Sequence, residues 1–212
     1  MKNDLKFTDF LKDVFSSFDK KVENSGLVSI CVEIPFIDLF QVYELFINKY
    51  SFSSLWEESD GISYIAFEKC KYVTLDGPKR FEVANEFNSE NFKNLINLTN
   101  EKDNSALSKI IYLFSFSESL NNNLSSDVPS LEAILPKILI IKSDKNCWLR
   151  INGQVEGKSS LRTLIEEIWT IRNQVINSRS ELIKLSSLKT SIDFPIIDDF
   201  LKSLETSNLN LK

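Results

Sequence analysis

The sequence predicts an α+β fold, a largely antiparallel sheet with helices packed outside it, and three stretches carry that prediction. Between Leu131 and Asn152 the chain reads LEAILPKILIIKSDKNCWLRIN. Residues 138–141 form an apolar run, 142–146 supply a polar turn, and 147–151 return as a second β-prone run, the pattern of a hairpin. An uninterrupted apolar run suits a strand covered on both faces, which places this hairpin at the centre of the sheet. Pro136 cannot donate to a ladder and marks where the first strand starts or bends. Ahead of the hairpin, residues 51–57, 62–67 and 71–75 read as an antiparallel meander. Its first reversal is at Ser59-Asp60-Gly61, and a turn at Asp76-Gly77-Pro78 follows it. Behind the hairpin, Gly153 and Gly157 end the sheet, and Ser159 or Ser160 caps a long helix. Its apolar stripe runs through Leu161, Leu164, Ile165, Ile168, Trp169, Val175, Ile176, Leu182 and Ile183, too wide for a coiled-coil seam.

The other elements follow from the same periodicities. Phe7, Phe10, Leu11, Val14, Phe15 and Phe18 predict an amphipathic helix over 6–22, stopped by Asn24-Ser25-Gly26. Asp9, Asp13 and Asp19 interrupt the lysines of its polar face, so it packs on its own domain and not on a membrane surface. Residues 27–34 alternate as a strand closed by Pro35, and 36–50 fit a short helix through Leu39, Phe40, Val42, Tyr43 and Phe46. Residues 80–87 and 89–98 read as two helices, with Ser89 as N-cap of the second. Residues 110–116 are another strand, and 118–130, rich in Asn and Ser, a surface loop. The domain reading is an α+β lobe over 1–187, then a connection and the start of a helix over 188–212.

Composition narrows the function classes. Charged residues make up 26% of the 212 and the net charge is -5, which offers no electrostatic reason to bind nucleic acid or acidic lipid. No apolar stretch reaches bilayer length, and the N-terminus lacks the features of a secretory signal, so a cytoplasmic location is the expectation. The chain has no histidine, which removes Ser-His-Asp and Cys-His chemistry and every histidine-containing zinc site. Cys31, Cys70 and Cys147 stand far apart in β-like contexts and read as reduced, partly buried apolar residues.

Few residues present themselves for chemistry. Glu57, Glu58 and Asp60 suggest a carboxylate cluster, but acidic residues at a hairpin turn are routinely solvated. Glu166 and Glu167 are neighbours on a helix and point apart, so they do not chelate one ion together. Lys79 and Arg80 could hold an anion at a helix start, although a basic pair there is more often a surface feature. Trp56, Trp148 and Trp169 suit core or interface positions better than a stacking platform. On the residues alone the chain has no catalytic, cofactor-binding or metal-binding set.

The order of pieces nevertheless resembles a known family. Leu55-Trp56-Glu57 leads through Asp60-Gly61 to Ile65-Ala66-Phe67. Arg80-Phe81 and residues 111–116 (IYLFSF) come next, then Leu135-Pro136-Lys137-Ile138 and Trp148-Leu149-Arg150-Ile151-Asn152. Over residues 27–185 this is similar to the N-terminal half of isochorismate synthase, a chorismate-utilising enzyme. Lys137 stands where that family usually has arginine, and Leu113 to Phe116 where it often has paired glycines. The resemblance implies one lobe of an internally duplicated α+β fold that scaffolds a chorismate site. It also implies a reaction in which water adds at one ring carbon of chorismate while a hydroxyl leaves from another. A lysine base, a glutamate acid and carboxylate-held magnesium serve that reaction in the family. Those residues lie in the C-terminal half, which this sequence does not reach, so no site residue carries over. The implied partner is that chorismate-binding half, with no cofactor in this chain alone, and the lobe by itself is expected to be inactive. Two other readings remain open: the large subunit of an anthranilate or aminodeoxychorismate synthase, and a stand-alone interaction module derived from this lobe.

Overall fold

Helix α1 (Phe7–Lys21) buries Phe10, Val14 and Phe18, the i, i+4, i+8 positions of its apolar stripe. Lys20 and Lys21 in its last turn complement the helix dipole. It leads into β1 (Gly26–Ile34) and α2 (Leu39–Phe46), whose first turn is capped by the Asp38 carboxylate accepting from the Phe40 N–H at 3.0 Å. Next come β2 (Ser53–Glu57) and β3 (Ser63–Leu75), α3 (Arg80–Asn94), β4 (Leu95–Asn97) and β5 (Ile111–Phe114). The hairpin β6 (Leu131–Lys142) and β7 (Cys147–Val155) and helix α4 (Lys158–Leu188) complete the order. The computed structural model describes residues 5–57, 61–99, 103–116, 129–143 and 146–188. The chain divides into two units, residues 1–176 and 177–212; the first holds every described strand and α1 to α3.

The strands make one sheet in the order β2-β3-β6-β7-β1-β4, with β5 also paired to β6. Every pairing is antiparallel except β1 with β4, so the sheet is mixed and mostly antiparallel, as the α+β reading requires. The hairpin does occupy the centre, and residues 138–141 are buried on both faces. Ile138 and Ile140 belong to the main core with α1, α2 and α4, together with Ile30, Phe67, Leu149 and Ile165. Leu139 and Ile141 point the other way, into a second cluster with Cys31, Ala66, Ala106 and Trp148. A third cluster joins Ala84 of α3 to Leu131 and Ala133.

Several boundaries differ from the sequence reading, each for a physical reason. Residues 62–67 and 71–75 are one strand interrupted by a β-bulge, where Glu68 takes a φ of 59° and the register to β6 shifts between Lys69 and Lys71. Strand β6 starts at Leu131 and runs through Pro136, which sits opposite Lys69 at that irregularity. Residues 80–94 form a single helix; Ser89 lies inside it and donates to the Asn85 carbonyl at 2.9 Å instead of capping a second one. Leu95–Asn97, read as helical, is the strand lying parallel to Leu27–Ser29 of β1. An open edge on β1 recruited three residues whose local preference alone did not decide the matter.

Gly153 does not end the sheet. It lies within β7, where a Cβ would stand 2.9 Å from Leu164 Cδ1, so its missing side chain lets α4 approach the strand. The turn falls at Gly157 (φ 110°), and α4 starts at Lys158. Ser160, in its first turn, accepts from the Glu156 N–H at 2.8 Å and donates to the Gly157 carbonyl at 3.0 Å. Phe7 and Phe10 of α1 pack on Trp169 with ring centroids 5.3 and 5.6 Å away. The helix expected near Ile197 and the loop over 118–128 lie outside the described residues.

Candidate functional site

Strand β6 is longer than its partners on one side, and that mismatch creates the most elaborate polar site among the described residues. Its first half, Leu131–Ile134, pairs with β5, and its second half, Ile138–Lys142, with β7. Between them the two partners part, and backbone groups at the fork lose their ladder neighbours. Polar side chains fill the gap. Arg150 and Asn152 are two apart on β7 and so share a face, and Ser29 of β1 lies opposite Asn152. The Asn152 Nδ2 donates to the Pro136 carbonyl at 2.8 Å, satisfying the fork. Its Oδ1 accepts from Ser29 Oγ at 2.6 Å and from Ser108 Oγ at 3.0 Å. Arg150 Nε donates to the Ala106 carbonyl at 2.7 Å, and its Nη1 to Ser29 Oγ at 2.6 Å and Asn97 Oδ1 at 2.9 Å.

Arg150, Asn152 and Ser29 are completely buried. The guanidinium thus ties β7 to β1, β4 and the segment before β5 through hydrogen bonds to oxygens of three different elements. Chemically this is a clamp: its donors are aimed inward, and it turns no nucleophile or proton donor toward solvent. The sequence reading placed Trp148 to Asn152 on a strand but did not single out Arg150. The available signal was an arginine inside an otherwise apolar strand, facing a serine in the neighbouring one.

A second feature is a groove of about 520 Å³ between α1 and the part of β1 that β4 does not cover. Lys20, Lys21 and Asp13 from α1 and Glu33 from β1 line it, along with Ser17 and Thr99. Its two cations and two carboxylates balance, so the groove offers no net charge to select an anion.

The residues weighed from the sequence are not brought together. Glu57 is exposed at the end of β2, while Glu58 and Asp60 lie outside the described residues. Glu166 pairs with Arg162 at 2.9 Å and Glu167 with Lys137 at 2.7 Å, so the adjacent glutamates do point apart. Lys79 is exposed, but Arg80 is buried: its Nη1 donates to the Ser115 carbonyl at 2.9 Å and its guanidinium lies over Phe81. That arginine joins α3 to the end of β5 and is not an exposed anion site. Trp148 and Trp169 are packed as expected, whereas Trp56 is exposed. Among the described residues, no three Cys, Asp or Glu side chains converge into one group.

The three cysteines are free thiols, Cys31 and Cys147 buried and Cys70 half-buried. Burial pushes the Cys70 thiol up to about 11, against the downward pull of Lys71 and Lys137. At pH 8 its thiolate fraction is then about 100-fold below that of an ordinary thiol, and thiol-reagent kinetics should show that slowing. The rate should climb about tenfold per pH unit until the pH approaches that value. A Cys70 that reacts at pH 8 as fast as a small free thiol contradicts this packing.

The comparisons with known proteins bear on this scaffold as a whole. No curated protein matches the chain. The family model described as "Chorismate binding enzyme" matches residues 9–205, a span that takes in every described strand and helix except the first residues of α1. By that match the chain belongs to the chorismate-binding enzyme family.

Proposed function

We propose that this chain is the N-terminal scaffold lobe of an isochorismate synthase-like enzyme, which converts chorismate to isochorismate once a catalytic C-terminal half is joined to it. The family match over residues 9–205 carries the reading. It is supported by the order of the Trp56-Glu57, Leu135-Pro136-Lys137 and Trp148–Asn152 segments, which are placed on β2, β6 and β7. In this reading the lobe contributes rigidity: a central hairpin buried on both faces, cross-tied at Arg150, holds the substrate half in register. The lysine base, the glutamate acid and the carboxylates for magnesium belong to the other half.

Incubating the purified 212-residue chain with chorismate and magnesium tests the proposal. The expected result is no isochorismate above the enzyme-free control, with turnover appearing when the polypeptide encoded downstream is supplied in the same chain. Isochorismate formation by the 212 residues alone would overturn the assignment of catalysis to a second half.

A further inference from the structure

Among the described residues, strand β5 has one partner. It pairs with β6 on one side, and among the described residues no strand lies along its other edge. The direction of its backbone groups follows from the ladder. The Ser115 N–H donates to the Ser130 carbonyl, which makes that opposed pair a hydrogen-bonded one. The antiparallel alternation then turns Leu113, opposite Glu132, and Ile111, opposite Ile134, toward β6 as well. Tyr112 and Phe114 therefore aim both N–H and C=O away from the sheet.

The side chains on this edge are apolar on both faces. Tyr112, Leu113 and Phe114 are 36% to 48% exposed, Phe81 of α3 is 60% exposed, and Phe116 is fully exposed. The Phe114 ring lies 4.9 Å from Phe81 and 6.2 Å from Tyr112, so one face carries a row of three rings while Leu113 points to the other. Natural edge strands are guarded by lysine, proline or a bulge, and Ile111–Phe114 (IYLF) has none of these.

We propose that β5 pairs antiparallel with β5 of a second copy of this chain, about a two-fold axis passing at Leu113. This register sets Tyr112 opposite Phe114 of the second copy, and symmetry repeats the pair, giving about four main-chain hydrogen bonds. Leu113 meets its own counterpart on one face, and the aromatic rows of the two copies join on the other. A slip of one residue aims bonded groups at unbonded ones, and a slip of two halves the bonds, so the axis at Leu113 is the self-complementary solution. The exposed parts of the five apolar side chains amount to roughly three full side chains, or about 600 Å² at roughly 200 Å² each. Two copies together expose about 1,200 Å² there, the most this pairing can cover and the lower end of what specific interfaces bury.

Sedimentation velocity of the 212-residue chain from low to several hundred micromolar is expected to show a monomer–dimer equilibrium. Leu113→Lys, at a half-exposed position, sets like charges across the axis and should weaken the dimer at least tenfold. Phe40→Lys, on α2 and 62% exposed, should leave it unchanged. Leu113→Cys gives a test that does not depend on the lysine variant folding. Opposed residues of a non-hydrogen-bonded pair have Cα atoms about 4.5 Å apart, within disulfide reach, so mild oxidation should yield a covalent dimer. A chain that stays monomeric, with no cross-link formed by the Leu113→Cys variant, overturns the proposal. So does a dimer that survives Leu113→Lys, or association that grows past two copies.

Discussion

Replacing Arg150 with methionine is expected to cost about 4 kcal/mol of folding stability, a large part of what holds a domain of this size. The side chain is completely buried, and three of its hydrogen bonds go to Ala106, Ser29 and Asn97. Methionine matches the length but donates nothing. The Ala106 carbonyl and Asn97 Oδ1 then lose a charged donor in a place where burial makes an unmet acceptor expensive. Urea unfolding should report the loss as a midpoint lowered by about 2 M, for a slope of about 2 kcal/mol/M. Amide exchange should accelerate first in residues 103–108, because Arg150 is what ties Ala106 down to the sheet. Arg150→Lys should recover less than half, since an ammonium cannot reproduce a fork aimed at three elements. A midpoint within error of the parent would mean that the clamp is ornamental.

Phe67→Ala should destabilise by a similar amount, about 3 to 5 kcal/mol, through the opposite chemistry. Phe67 is completely buried on β3, opposite Ser53 of β2 and Ile138 of β6. Tyr43, Phe46 and Tyr50 surround its ring with centroids 5.9, 5.7 and 5.5 Å away. Removing it leaves a cavity walled by three stiff rings and two hydrogen-bonded strands, which cannot collapse to fill it. Because those rings come from α2 and the turn after it, the loss should also loosen α2. Near-ultraviolet circular dichroism and thermal melting would register both effects. Phe67→Leu should cost about half as much, and an alanine variant that melts with the parent would place the ring outside the core.

The sequence was informative wherever one periodicity dominated. The stripe Phe10, Val14, Phe18 and the run Ile138–Ile141 each admit one burial pattern, and both elements formed where the spacing placed them. It was uninformative where a residue's partner lies far along the chain. Leu95–Asn97 became a strand because β1 had an edge to offer, and Glu68–Cys70 became a bulge because β6 ran past it without a turn. Arg80 read as half of a surface basic pair, and its burial depends on a carbonyl 35 residues away. The polar clamp was illegible for the same reason, since Ser29 and Arg150 are 121 positions apart.

By itself the sequence determined the class of fold, the central hairpin and the helices that bury its faces, because hydrophobic spacing within a single element is a local property. It also ruled out histidine chemistry. Only the tertiary structure decided how β6 divides its two halves between β5 and β7, where the fork falls, and which side chains close it. Those outcomes turn on strands of unequal length meeting edge to edge. A buried guanidinium acquires its role only when the oxygens it needs are folded around it.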